Sequence, residues 1–177
     1  MVGFEALYKQ KVTLFQRFPV SSCSVADVAV ADIAVVDEDY YEGDDSMICW
    51  VPVLLDGVHL MIDRSIIIST YGEQASDNAM LNVRYAKSGE DAIIGGLRYC
   101  KPKEWMMLES FDDAISFKFG DEFDFFIEGD YTELGVVFDD DYRNGFYNHM
   151  NRNYDNVFAI TAVSKYNLLP HFGITAR

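Results

Sequence analysis

The amino-acid sequence predicts an α+β fold: a single domain spanning residues 1–177, with a largely antiparallel β-sheet and two or three helices. Three observations point there. Half of the residues are hydrophobic and 15% are aromatic, enough for one packed core in 177 residues. Short β-branched and aromatic runs alternate with polar residues, most sharply across residues 114–128 (AISFKFGDEFDFFIE). Helical spacing is confined to a few segments, and no internal repeat or low-complexity linker divides the chain.

In chain order, Phe4, Leu7, Tyr8, Leu14, Phe15 and Phe18 recur at helical spacing and predict an amphipathic helix over residues 4–17, ending before Pro19. Residues 25–36 (VADVAVADIAVV) read either as a helix capped by Ser24 and Asp27 or as a strand, with β-branched content favouring the strand. Asp56-Gly57 suits a two-residue hairpin, which sets Leu55 opposite Val58 and Val53 opposite Leu60, while Pro52 favours an edge position. Strands are expected at residues 65–70, 80–86 and 92–100, with a polar turn region at 71–79, a turn at Lys87-Ser88-Gly89 and a bulge at Gly95-Gly96. A short helix is expected over 104–112.

Residues 114–128 read as a hairpin through Gly120-Asp121-Glu122. That register pairs Phe119 with Phe123, Phe117 with Phe125 and Ile115 with Ile127 on the inner face, and Lys118 with Asp124 on the outer face. A strand over 134–138, a weak helix over 142–153 that starts after Asp139, Asp140 and Asp141, and a last strand over 156–163 complete the reading.

The net charge of −15 is unevenly spread. Residues 37–45 (DEDYYEGDD) hold six acids and no base, and residues 109–141 hold twelve acids against Lys118 alone, so these two segments carry −17 and the other 135 residues +2. Such surfaces repel nucleic acid and anionic membranes and attract basic partners. Three scattered cysteines, Cys23, Cys49 and Cys100, argue against a disulfide framework and for a reducing compartment. With no signal-peptide pattern and no 18-residue apolar run, a cytoplasmic location is expected, in a cell or in an infected host.

Catalytic and metal motifs are weak. Calcium-loop spacing fails from Asp140, where Tyr142 and Asn151 fall at ligand positions, and from Asp37, where Glu42 replaces the required glycine. A looser divalent site at Asp139–Asp141 competes with a simple helix start. His59, His149 and His171 show no zinc-type pairing with each other or with the cysteines. Lys101 beside Cys100 could lower the thiol pKa. Arg98, Lys101 and Lys103 with Tyr99 and Trp105 form a small basic and aromatic cluster that could touch nucleic acid or an acidic surface of a second copy.

The reading is therefore a non-enzymatic protein-binding domain without cofactor or metal, whose acidic surface engages a basic protein, concretely an inhibitor that imitates nucleic acid, of anti-restriction or anti-defence type. The expected contact residues are Asp121, Glu122, Asp124, Glu128, Asp130, Glu133, Asp139, Asp140 and Asp141, with Asp37, Glu38, Asp39, Glu42, Asp44 and Asp45. The alternative is a structural subunit of a larger assembly such as a virus or phage particle, in keeping with the Asn-, Tyr- and Asp-rich texture. A weaker alternative is an enzyme with an unrecognised carboxylate or metal site.

Overall fold

The computed structural model describes residues 8–19, 48–69, 72–105, 107–108 and 113–177, with backbone alone over 64–69 and 72–77. The expected strand or helix over 25–36 and the acidic segment 37–45 lie outside the described residues.

The strands are β1 (Gln10–Pro19), β2 (Ile48–Ser69), β3 (Gly72–Arg84), β4 (Ala86–Ser88), β5 (Asp91–Ile94), β6 (Leu97–Tyr99), β7 (Ala114–Ile115), β8 (Phe125–Glu128), β9 (Val137–Phe138), β10 (Val157–Tyr166) and β11 (His171–Ala176). Two helices accompany them: α1 (Pro102–Trp105), a single turn, and α2 (Phe146–Asn153). Strands β1, β8, β10, β11, β3 and β2 pair in that order, all antiparallel, and β2 pairs back onto β1, so six strands close a barrel. β9 pairs with the edge of β2 opposite β1, at Cys49 and Trp50. A second sheet, β4-β5-β6-β7, packs on the barrel core.

Alternate residues of each barrel strand fill the interior: Val12 and Leu14, Leu55 and Leu60, Leu81 and Val83, Phe126, Phe158 and Ile160, Phe172 and Ile174. Ala92, Ile94, Ile115 and Phe117 of the second sheet and its connection join the same cluster. The outward residues Phe15, Trp50, Phe125, Ile127 and Val157 are covered by Phe146 and Met150 of α2. β1 and β8 are thus buried on both faces.

That double burial explains the first correction. The segment expected as a helix over 4–17 is strand β1 from Gln10 onward. A strand covered on both sides loses the period-two pattern, and its continuous apolar residues imitate helical spacing.

The Asp56-Gly57 pair is not a hairpin turn. β2 runs straight through it, and the ladder to β1 skips from Val58↔Gln10 to Asp56↔Lys11, leaving Gly57 as a bulge residue at φ +67°. The bulge redirects β2 from β1 to β3, and the Gln10 side chain continues the ladder by accepting the Leu60 N–H at 2.8 Å. Gly95-Gly96 forms the turn between β5 and β6 rather than a bulge, with both φ angles positive. Residues 72–79, expected as polar turn, belong to β3, and β11, beyond Pro170, was not expected.

The hairpin expected over 114–128 is replaced by a tight turn. β7 pairs in parallel with β6, β8 pairs with β1 and β10, and in place of a ladder the two segments share one backbone hydrogen bond, from the Asp124 N–H to the Lys118 carbonyl at 3.0 Å. Phe119 ends exposed, opposite to its expected inner position.

Candidate protein-binding surface

The acidic residues of 121–141 divide into those that hold the fold and those free to meet a partner. Asp124 belongs wholly to the first group and corrects its expected place on the surface: it is 0% exposed. Its Oδ1 accepts the Arg17 N–H at 2.9 Å and its Oδ2 the Lys118 N–H at 2.7 Å. Lys118 is buried too, its Nζ 3.5 Å from Asp124 Oδ1, donating to the Arg17 carbonyl and lying over the Trp105 ring. Burial pushes the Asp124 carboxyl up to about 6 against the pull of Lys118, and burial lowers the Lys118 ammonium. The expected Lys118–Asp124 pair therefore exists, but inside the protein.

Asp139 is half-buried and also structural. Its Oδ1 accepts the Trp50 Nε1–H and the Phe146 N–H, each at 2.8 Å, and so caps α2 from seven residues upstream. Its carboxylate fills the space above Gly145, where an added Cβ would meet Oδ2 at 2.8 Å. Glu128 is half-buried and accepts from Asn156 Nδ2 at 2.8 Å.

Asp121, Glu122, Asp130, Glu133, Asp140 and Asp141 are exposed. Asp130 accepts from the Thr132 hydroxyl and N–H, which hold its carboxyl below the usual range. The rim is held on turns, not on one strand: the 118–124 turn, the 3-10 turn Thr132–Leu134 and the 3-10 turn Asp139–Asp141. What unites these turns is the aromatic cluster under α2. Its half-buried members Phe123, Tyr131 and Tyr142 each sit next in sequence to exposed acids. Trp50 ties two of the turns together, 6.3 Å from the Phe123 ring and bonded to Asp139. The rim is thus a set of carboxylates interleaved with part-exposed rings. Arg143 and Arg152 lie beside it, in a shallow pocket of about 150 Å³ that also takes in Tyr142, Asn148 and His149.

The other expected sites resolve plainly. Among the described residues no group of three His, Cys, Asp or Glu side chains is placed to hold a metal ion. His171 stacks on Tyr166, while His59 and His149 sit at tilted angles beside Tyr8 and Tyr142. Burial raises the Cys100 thiol, the opposite of the lowering expected from Lys101. Of the basic cluster, Arg98 is paired with Glu104 at 3.0 Å and Trp105 is buried beneath Lys118, leaving Lys101 and Lys103 exposed. Cys49 is disulfide-bonded, against the expectation from three scattered cysteines, and its partner lies outside the described residues. The cysteine argument for a reducing compartment falls with it. No helix among the described residues is long and apolar enough to cross a membrane.

No protein-family model, curated protein or solved structure matches this chain.

Proposed function

We propose that this chain is a protein-binding domain that acts through its surface, with the acidic and aromatic rim of residues 121–142 engaging a basic face of a partner protein. The carrying observation is the interleaving of exposed Asp121, Glu122, Asp130, Glu133, Asp140 and Asp141 with half-buried Phe123, Tyr131 and Tyr142 around one cluster. Carboxylates steer and select a basic partner, and ring edges supply the apolar contact area that charges alone lack. A basic cleft that ordinarily holds nucleic acid is the partner chemistry this rim suits best. The turns that carry the acids favour a shaped patch over a regular row of charges along a strand, because Asp124 is withdrawn from that row and Glu128 is partly withdrawn.

The test is charge reversal at positions that hold nothing else in the fold. Glu133→Lys with Asp140→Lys should leave the melting temperature within a few degrees and remove partner binding. Unchanged binding by a folded double variant overturns the proposal.

A structural subunit remains the second reading, favoured by one specific feature: a two-stranded ribbon that runs out of the barrel.

A further inference from the structure

Arg143 and Arg152 stand out against the charge of the chain. Acids outnumber Lys and Arg by 29 to 14, yet both arginines are exposed and neither makes a salt bridge or hydrogen bond among the described residues. Both line the pocket of about 150 Å³ on the outer side of α2, and among the described residues no carboxylate lines it. Asn148, His149 and Arg152 follow the N-cap Gly145 at helical spacings of three, four and seven, so they share one face of α2, away from the buried Phe146 and Met150. Arg143 reaches the pocket from the preceding turn, which the Gly145 N–H closes by donating to the Tyr142 carbonyl at 2.9 Å.

The walls of the pocket are held by the protein itself. Asn148 Nδ2 donates to the Asn144 carbonyl at 2.7 Å, and Asn153 Nδ2 donates to the His149 carbonyl at 2.7 Å and lies 3.3 Å from His149 Nδ1. With Nδ1 as acceptor, the proton of the neutral imidazole sits on Nε2. The His149 ring lies 4.6 Å from that of Tyr142. The two asparagines thus spend donors on the backbone and keep their amide oxygens as acceptors, while Arg143, Arg152 and His149 supply donors. Asp139 stands behind Gly145, but its Oδ1 already accepts the Trp50 and Phe146 N–H groups. The first N–H of α2 is therefore used, and the donors left for a ligand belong to side chains.

We propose that this pocket binds a small phosphate monoester, with Arg143 and Arg152 on the phosphoryl oxygens and Asn148 and Asn153 accepting from hydroxyl groups of its stem. A single guanidinium satisfies both oxygens of a carboxylate. A phosphoryl dianion offers three oxygens and suits two guanidinium forks with one further donor, the His149 Nε2–H. The volume of about 150 Å³ lies below the roughly 300 Å³ at which pockets for whole drug-sized ligands begin, and it takes a phosphoryl group with a short stem rather than a nucleotide. The acids of the adjoining rim repel a polyanion along its length, so a phosphate within nucleic acid is the poorer ligand. The site shares Tyr142 with the rim but none of its carboxylates, and it stands or falls separately from the rim as a partner surface.

Isothermal titration of the full chain tests it, at constant ionic strength and about pH 7.5, where a phosphate monoester is mostly dianionic. The probes are glycerol phosphate, inorganic phosphate and glycerol. Wild type should bind one glycerol phosphate with a Kd below about 1 mM, inorganic phosphate more weakly and glycerol not at all. Arg143→Gln with Arg152→Gln, both at exposed positions, should keep the melting temperature and weaken glycerol phosphate by roughly tenfold or more. Arg152→Gln alone serves if the double variant does not fold. Asn148→Ala should narrow the gap between the two phosphates. No saturable binding of glycerol phosphate by wild type overturns the proposal, as does a folded arginine variant that binds as wild type does. Equal affinities of wild type for the two phosphates overturn the assignment of an esterified stem.

Discussion

Lys118 and Asp124 close a turn from inside the protein: the ammonium lies 3.5 Å from Oδ1, while the carboxylate accepts the backbone N–H groups of Lys118 and of Arg17 on β1. The pair joins the second sheet, β8 and β1 at one point. Asp124→Ala strands two N–H donors and a buried ammonium and should cost about 3–5 kcal/mol. Lys118→Met keeps an apolar stem over Trp105 and leaves a carboxyl that can take up a proton, so it should cost less. Urea denaturation of the two variants gives the order directly.

The same pair sets a pH dependence. Burial raises Asp124 from 3.8 to about 6, so the folded protein keeps a proton that the unfolded chain releases. The stability this group contributes is whole below about pH 4 and is lost as pH rises through 6. The urea midpoint should fall between pH 4 and 6.5, by on the order of 1–3 kcal/mol in stability, and Asp124→Asn should flatten that slope. Asp130, lowered by Thr132, acts in the opposite sense at more acid pH, and the lowered Lys118 acts only on the alkaline side. A slope that survives in Asp124→Asn assigns the effect to other groups.

Much of the strand content was legible in the sequence, and the barrel was not. Residues 65–69, 80–84 and 157–163 are strands as expected, and the helix after Asp139 forms over Phe146–Asn153. The failures share a cause. β1 and β8 are covered on both faces, so neither alternates, and Asp56-Gly57 carries the same positive-φ chemistry in a bulge as in a turn. Barrel closure depends on which strands meet at long range, which local pattern does not encode. For the rim, the charge concentration was visible, but Asp124, Asp139 and Glu128 look like their exposed neighbours until their partners are placed. The flanking rings Phe123, Tyr131 and Tyr142 were the readable signal that went unused.

The bulge in β2 rests on one residue. Gly57 at φ +67° accepts a side chain only with strain, so Gly57→Ala should destabilise by about 1–2 kcal/mol. Gly89→Ala and Gly96→Ala share the positive φ but lie on exposed two-residue turns, so the distinguishing result is a loss of β1–β2 amide protection in Gly57→Ala alone.

Asp139→Ala removes the Trp50 and Phe146 partners together and should cost about 2–3 kcal/mol. Trp50 emission reports it, because the indole N–H loses its acceptor. Metal addition should leave that signal unchanged if Asp139 serves only as a cap.

The disulfide at Cys49 makes a countable prediction. Protein denatured without reductant should show one reactive thiol per chain, that of Cys100. Reductant should lower stability by about 2–4 kcal/mol in wild type and equally in Cys100→Ala.

The most direct measurement of the central claim is a quantitative pull-down from native lysate, comparing wild type with the folded Glu133→Lys, Asp140→Lys variant at low and high salt. The rim as a binding surface predicts basic proteins retained by wild type at low salt, released at high salt and absent from the variant. The same proteins recovered equally by both would contradict it.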